Sequence, residues 1–131
     1  MRIKLLAKIH SLALSALVLL TFASILFGQS DLTSIAGTIT DPSGAVVANA
    51  NVTVKNQATG AERRAVTNNS GNYSIPSVPA GMYTLIIEAP GFKKYERSGN
   101  TLQTSVAATL DATLTLGQAT ETVQVTSEAP P

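Results

Sequence analysis

Beyond His10 the chain contains no histidine, and it has no cysteine at any position. Nucleophile and base pairs of the Ser–His and Cys–His kinds therefore have no members after residue 10. Disulfides, thiolate chemistry and cysteine zinc sites are excluded in the same step. No catalytic residue, metal site or cofactor is expected, and the chain reads as a non-enzyme. What chemistry remains lies in carboxylates, lysines and aromatics. Asp31, Glu62, Glu96, Glu121 and Glu128 stand in polar loops, strand rims or tails, where a solvated charge is the ordinary state. Asp41, Glu88 and Asp111 are the acids to weigh for calcium, because Asp41 shares a turn with Ser43, but their spacing fits no calcium loop. Lys55, Glu88 and an asparagine would form the Lys–Asn isopeptide crosslink of some bacterial surface sandwiches only if the acid were buried. Tyr73, Tyr83, Phe92 and Tyr95 are the side chains able to stack on a sugar ring, against the commoner fate of strand aromatics, which is the core.

Charge does not point to nucleic acid. Arg2, Lys4 and Lys8 lie in the first ten positions with no acidic residue, and without residues 1–30 the chain carries six basic and eight acidic side chains, a formal −2 in place of +1. Arg63, Arg64 and the Lys93, Lys94, Arg97 group read as solvated strand faces and not as the basic patch a nucleic acid requires. After the basic start, Leu12 to Phe27 is uncharged and dominated by Leu, Ala, Val, Ile and Phe. This is the n-region and h-region of a signal peptide. Sixteen such residues fall short of the roughly 20 that cross a bilayer core. Cleavage is therefore favoured over permanent anchoring, with no membrane span left afterwards. Small residues at Gly28 and Ser30 place the mature start near Gln29 or Asp31. Residues 1–30 are assigned to the signal, and the chain is expected to be exported.

The elements that must position any site follow from the next stretch. From Ser34 onward apolar and β-branched residues alternate, interrupted by Gly, Pro, Asn or Asp clusters, the pattern of many short strands. Ser34–Thr40 puts Ile35, Gly37 and Ile39 on one face before the turn Asp41-Pro42-Ser43-Gly44. Asn51–Lys55 and Ala61–Thr67 form a hairpin, and Asn68-Asn69-Ser70-Gly71 turns the chain again. Tyr73 and Ile75 share a face, Pro76 is expected to end that strand, and Pro76 with Pro79 argues against a central position. Met82–Ala89 is the longest apolar strand, with Tyr83, Leu85 and Ile87 assigned to the core. Phe92–Arg97 follows, then Ser98-Gly99-Asn100 as a break, then the alternation Ala108, Leu110, Ala112, Leu114, Leu116. No helical period appears after residue 30. An all-β sandwich of two sheets is predicted, since such strands must bury their apolar faces against one another.

The stretch Ile35–Leu116 resembles the carboxypeptidase regulatory-like domain family, which implies an all-β, antiparallel β-sandwich of about seven strands, transthyretin-like (prealbumin-like), over residues 31–118. Thr67, Gly71, Tyr73, Ile75, Val78, Pro79, Gly81, Tyr83, Leu85, Gly91 and Phe92 occupy the family's usual positions. Asn69 stands where an Asp is common, and Asn51 follows Ala50 where Gly-Ala is common.

The order of signal, this domain and a Glu-Thr-Val-Gln-Val-Thr segment also resembles the N-terminal extension of Oar-like TonB-dependent outer-membrane receptors. Residues 119–131 are then a strand-forming tail and linker. The resemblance implies that Glu121, Thr122, Val123, Val125 and Thr126 belong to a TonB box, the segment grasped by TonB through strand addition. The competing reading makes Thr122–Thr126 the last strand of the sandwich. No plug or barrel follows before Pro131, so the chain is expected to be a truncated receptor or a free-standing periplasmic relative. The leading expectation is a non-catalytic module, periplasmic or outer-membrane associated, whose partner is TonB or a receptor component. The alternative is a secreted or surface-exposed adhesive or carbohydrate-binding sandwich.

Overall fold

A computed structural model describes residues 1–23, 31–118 and 120–127. The chain divides into two compact units, Met1–Ser30 and Asp31–Pro131. In the first, α1 (Arg2–Ala23) is a helix of 22 residues. Among the described residues no helix is long and apolar enough to cross a membrane. The expected cleavage positions Gly28 and Ser30 lie outside the described residues.

The second unit is all β. Its strands are β1 (Leu32–Thr40), β2 (Asn51–Asn56), β3 (Glu62–Val66), β4 (Asn72–Pro79), β5 (Gly81–Glu88), β6 (Lys94–Leu102), β7 (Ala108–Thr109), β8 (Ala112–Thr113) and β9 (Thr122–Thr126). They form two sheets. One has the order β4-β1-β7, with β8 also on β1; the other runs β3-β2-β5-β6-β9. Period-two alternation sends Ile35 and Ile39, Val52 and Val54, and Tyr83, Leu85 and Ile87 into the space between the sheets, where all are buried. Every residue of the buried core cluster lies between Ile35 and Leu114, and Phe92 packs against it from the side. The core cluster of the described residues thus lies within Asp31–Pro131.

The sandwich predicted from the alternation is present, with the antiparallel pairing that the family resemblance implies, and among the described residues it carries three parallel pairings as well: β7 and β8 on β1, and β9 on β6. Gly37 allows the first two. A Cβ there would run into the Leu110 carbonyl and the Tyr73 ring, so only glycine lets this segment pass so close to β1. Leu110 N donates to the Ala36 carbonyl at 2.8 Å, and the Tyr73 hydroxyl donates to the Leu110 carbonyl at 2.7 Å. Leu116, expected to alternate inward, is exposed because the chain has left β1 by then.

Two strand boundaries differ from the sequence expectation for the same physical reason. Pro76 does not end β4: the register slips between Thr33 and Ile35, so that Pro76 and Ser77 together oppose Ser34. Ser77 takes a φ of 57°. A β-bulge on an edge strand absorbs a residue that cannot donate to the ladder, and pairing resumes at Val78 and Pro79. Likewise Ser98-Gly99-Asn100 is not a turn. The β5–β6 register slips between Tyr83 and Leu85, with Gly99 at a φ of 75°. Buried Asn100 stabilises this bulge: its Nδ2 donates to the carbonyls of Tyr83 (3.1 Å) and Arg97 (2.7 Å). Its Oδ1 accepts from Arg97 Nε at 2.7 Å.

Candidate functional site

The segment singled out by its Glu-Thr-Val-Gln-Val-Thr pattern is an ordered edge strand. β9 lies parallel to β6, with Lys94 opposite Thr122, Tyr95 opposite Val123, Arg97 opposite Val125 and Ser98 opposite Thr126. Lys94 N donates to the Glu121 carbonyl at 2.8 Å, and Ser127 N donates to the Ser98 carbonyl at 3.3 Å. In a parallel ladder these two bonds fix the phase. The backbone groups of Glu121, Val123, Val125 and Ser127 face β6, and those of Thr122, Gln124 and Thr126 face away. Lys93 Nζ closes the start of the strand with an ion pair to Glu121 Oε2 at 2.7 Å.

Little holds β9 beyond its backbone. Of Thr122–Thr126, four residues are exposed and Val123 alone is half-buried. Ordering a residue costs about 1–2 kcal/mol, and a ladder hydrogen bond returns about 1 kcal/mol net. With so little apolar burial added, the docked strand is held by a narrow margin.

The structure thus brings Glu121, Thr122, Val123, Val125 and Thr126 together along one edge and adds Gln124 and Lys93 to them. Gln124 was legible as the polar middle of an alternating run. Lys93 was not, because nothing local announces a parallel pairing across 28 positions of sequence, from Lys93 to Glu121.

The other candidates are scattered. Asp41 is half-buried, and its Oδ1 accepts from Ser43 N (2.8 Å), Ser43 Oγ (2.6 Å) and Ala45 N (3.0 Å). The Ser43 side-chain bond leads in holding its carboxyl below the usual range. This is a turn lock. Asp111 instead accepts from Thr38 N at 2.7 Å, and Glu88 lies in the other sheet. Among the described residues no three His, Cys, Asp or Glu side chains form a group that could hold a metal ion.

The isopeptide requirement fails: Glu88 is exposed, and Lys55 points to solvent beside Glu62 at 3.9 Å. Tyr73, Tyr83 and Tyr95 are buried. Desolvation pushes the Tyr73 phenol well above its ordinary value of 10.0, and its hydroxyl is committed to Leu110. These rings are core and cannot present a stacking face to a sugar. A shallow depression of about 420 Å³ lies over Asn51, Thr53, Arg64, Ala65, Val66 and Glu88 on the outer face.

Comparison with known proteins agrees with this architecture. Residues 34–115 match the carboxypeptidase regulatory-like domain, one residue at each end from the span read in the sequence; β9 lies outside the match. The chain is 40% identical over 80 residues to the TonB-dependent transporter Oar of Myxococcus xanthus. The aligned part is 60% of this chain and 7% of that transporter, so the chain spans a small fraction of its relative's length. Among solved structures, a putative carbohydrate binding protein from Bacteroides uniformis superposes with a TM-score of 0.54 at 22% identity, over 65% of this chain and 41% of that one. A catechol 1,2-dioxygenase from Acinetobacter gives 0.55 at 12% identity, over 76% and 59%. Likeness at these identities concerns the fold alone.

Proposed function

Because the chain belongs to the carboxypeptidase regulatory-like domain family, we propose that it is a non-catalytic connecting module of a TonB-dependent outer-membrane transport system, with β9 as the strand to which TonB adds. The observation that carries this reading is the state of β9. It holds the acidic-Thr-hydrophobic-any-Val-Thr pattern in extended form, docked among the described residues through the edge that faces β6. Strand addition needs an exposed edge whose backbone groups supply affinity and whose alternate side chains supply selectivity. Thr122, Gln124 and Thr126 offer the first, and Val123 and Val125 the second. The segment need not leave its domain for this, since among the described residues its outward groups pair with no other strand. Similarity to an outer-membrane transporter and the basic, then apolar, N-terminus support export and a place in the periplasm or at the outer membrane. The secreted carbohydrate-binding alternative has less behind it, because its tyrosines are buried.

The test is titration of Asp31–Pro131 with the periplasmic C-terminal domain of TonB. Gln124→Pro removes an outward N–H and leaves the β6 ladder intact, whereas Val123→Pro would strike the N–H that faces β6. Binding by the parent that Gln124→Pro abolishes is the expected result. No binding by the parent, or binding that Gln124→Pro leaves unchanged, removes the proposal.

A further inference from the structure

The outer edges of the two sheets are defended differently. β3 exposes Glu62, Arg63 and Arg64, with Arg64 Nη2 2.9 Å from Glu62 Oε2. β4 is interrupted by Pro76 and its bulge. β7 and β8 are two residues long each. Charge, proline, bulges and brevity are the means by which sheets avoid pairing with another chain. β9 has none of them. It is an uncharged run, Thr122-Val123-Gln124-Val125-Thr126, largely exposed and in unbroken register with β6. It also reads the same in both directions about Gln124.

We propose that β9 pairs with the β9 of a second copy of this chain, antiparallel about a two-fold axis at Gln124. In that register Thr122 lies opposite the second copy's Thr126, Val123 opposite its Val125, and Gln124 opposite its own counterpart. Like pairs of Thr and of β-branched residues are favourable across strands, and no charge meets a like charge.

The backbone phase fits the same register. Opposite residues in an antiparallel pair alternate between exchanging both hydrogen bonds and exchanging none. With the axis at Gln124, all three outward-facing residues, Thr122, Gln124 and Thr126, fall at bonded positions, and each outward N–H and C=O gains a partner. A slip by one residue would oppose groups already turned toward β6. The contact is isologous and closes at two copies. It joins the two five-stranded sheets into one continuous sheet. It requires no TonB, but it occupies the same edge, so pairing between copies and strand addition by TonB exclude each other. An edge contact of this kind belongs at the weak end of protein interfaces, so it is sought at high protein concentration.

The test is sedimentation equilibrium of Asp31–Pro131 up to millimolar concentration. The parent is expected to show a reversible monomer–dimer equilibrium. Gln124→Lys and Gln124→Glu each place like charges opposite one another at the axis and should weaken the dimer by about two- to fivefold. An equimolar mixture of the two variants should dimerise again, because Lys then faces Glu; that rescue also shows both variants to be folded. A parent that stays monomeric, variants that dimerise like the parent, or a mixture without recovery would each overturn the proposal.

Discussion

Replacing Lys93 by alanine tests how β9 is held. Lys93 Nζ lies 2.7 Å from Glu121 Oε2, with the two side chains 31% and 53% exposed, and an ion pair this open to solvent contributes about 0.2–1 kcal/mol. Its aliphatic stem also lies against Gly117, where even a Cβ would come within 2.6 Å of it, so alanine uncovers the approach to β9. The backbone bond from Lys94 N to the Glu121 carbonyl at 2.8 Å survives. Against a domain stability of roughly 5–15 kcal/mol the loss is small; against the narrow margin that holds β9 it is large. The urea midpoint of global unfolding should therefore shift by an amount worth about 1 kcal/mol or less. Opening of β9 should rise about two- to fivefold, read by hydrogen exchange at the amides of Val123 and Val125, which face β6. Glu121→Gln should do the same, and the double variant little more, since the two side chains form one interaction. Exchange at Val123 and Val125 as slow as at Leu85 and Ile87 would refute the reasoning, because β9 would then open only when the whole domain unfolds. Unchanged opening in Lys93→Ala would refute the role of the ion pair.

Other expectations follow from the same geometry. Leu85 is buried on β5, which lies between β2 and β6, so Leu85→Ala should cost about 2–5 kcal/mol in urea denaturation. Met82→Ala on the exposed face of the same strand should cost little. Tyr73→Phe removes the donor to the buried Leu110 carbonyl and should cost about 1–3 kcal/mol at neutral pH. Because burial raises the Tyr73 pKa in the folded state, the unfolded chain loses that proton first as pH rises. Parent stability should therefore fall as pH climbs past the ordinary value of 10.0, more steeply than that of Tyr73→Phe; equal slopes would count against the buried phenol. Mass spectrometry of the exported protein should find a mature chain starting near Gln29 or Asp31, and only full-length chain in the membrane fraction would oppose cleavage.

The core was legible because strand alternation is a local signal. Tyr83, Leu85 and Ile87 face inward as the pattern of Met82–Ala89 requires, and Val52 and Val54 do the same. Pro76 was read correctly as an edge residue, since β4 is an edge, but not as a bulge. A bulge depends on the partner strand, and Ser34 opposite Pro76 and Ser77 is 42 residues away from the first of them. Ser98-Gly99-Asn100 misled for a related reason: the composition of a turn is also that of a glycine bulge, and only the buried hydrogen bonds of Asn100 distinguish them. At the candidate site, alternation gave β9 its side-chain faces. It could not give the parallel pairing with β6, and hence could not tell which backbone groups face outward.

The measurement that bears most directly on the proposed module is an NMR titration of isotope-labelled Asp31–Pro131 with the C-terminal domain of TonB, followed at single backbone amides. Strand addition to the outer edge of β9 predicts that Thr122, Gln124 and Thr126 shift and gain protection from exchange, while Val123 and Val125 keep their bonds to β6 and the β3 edge stays unchanged. An unperturbed β9 at saturating TonB, or changes confined to β3, would contradict it.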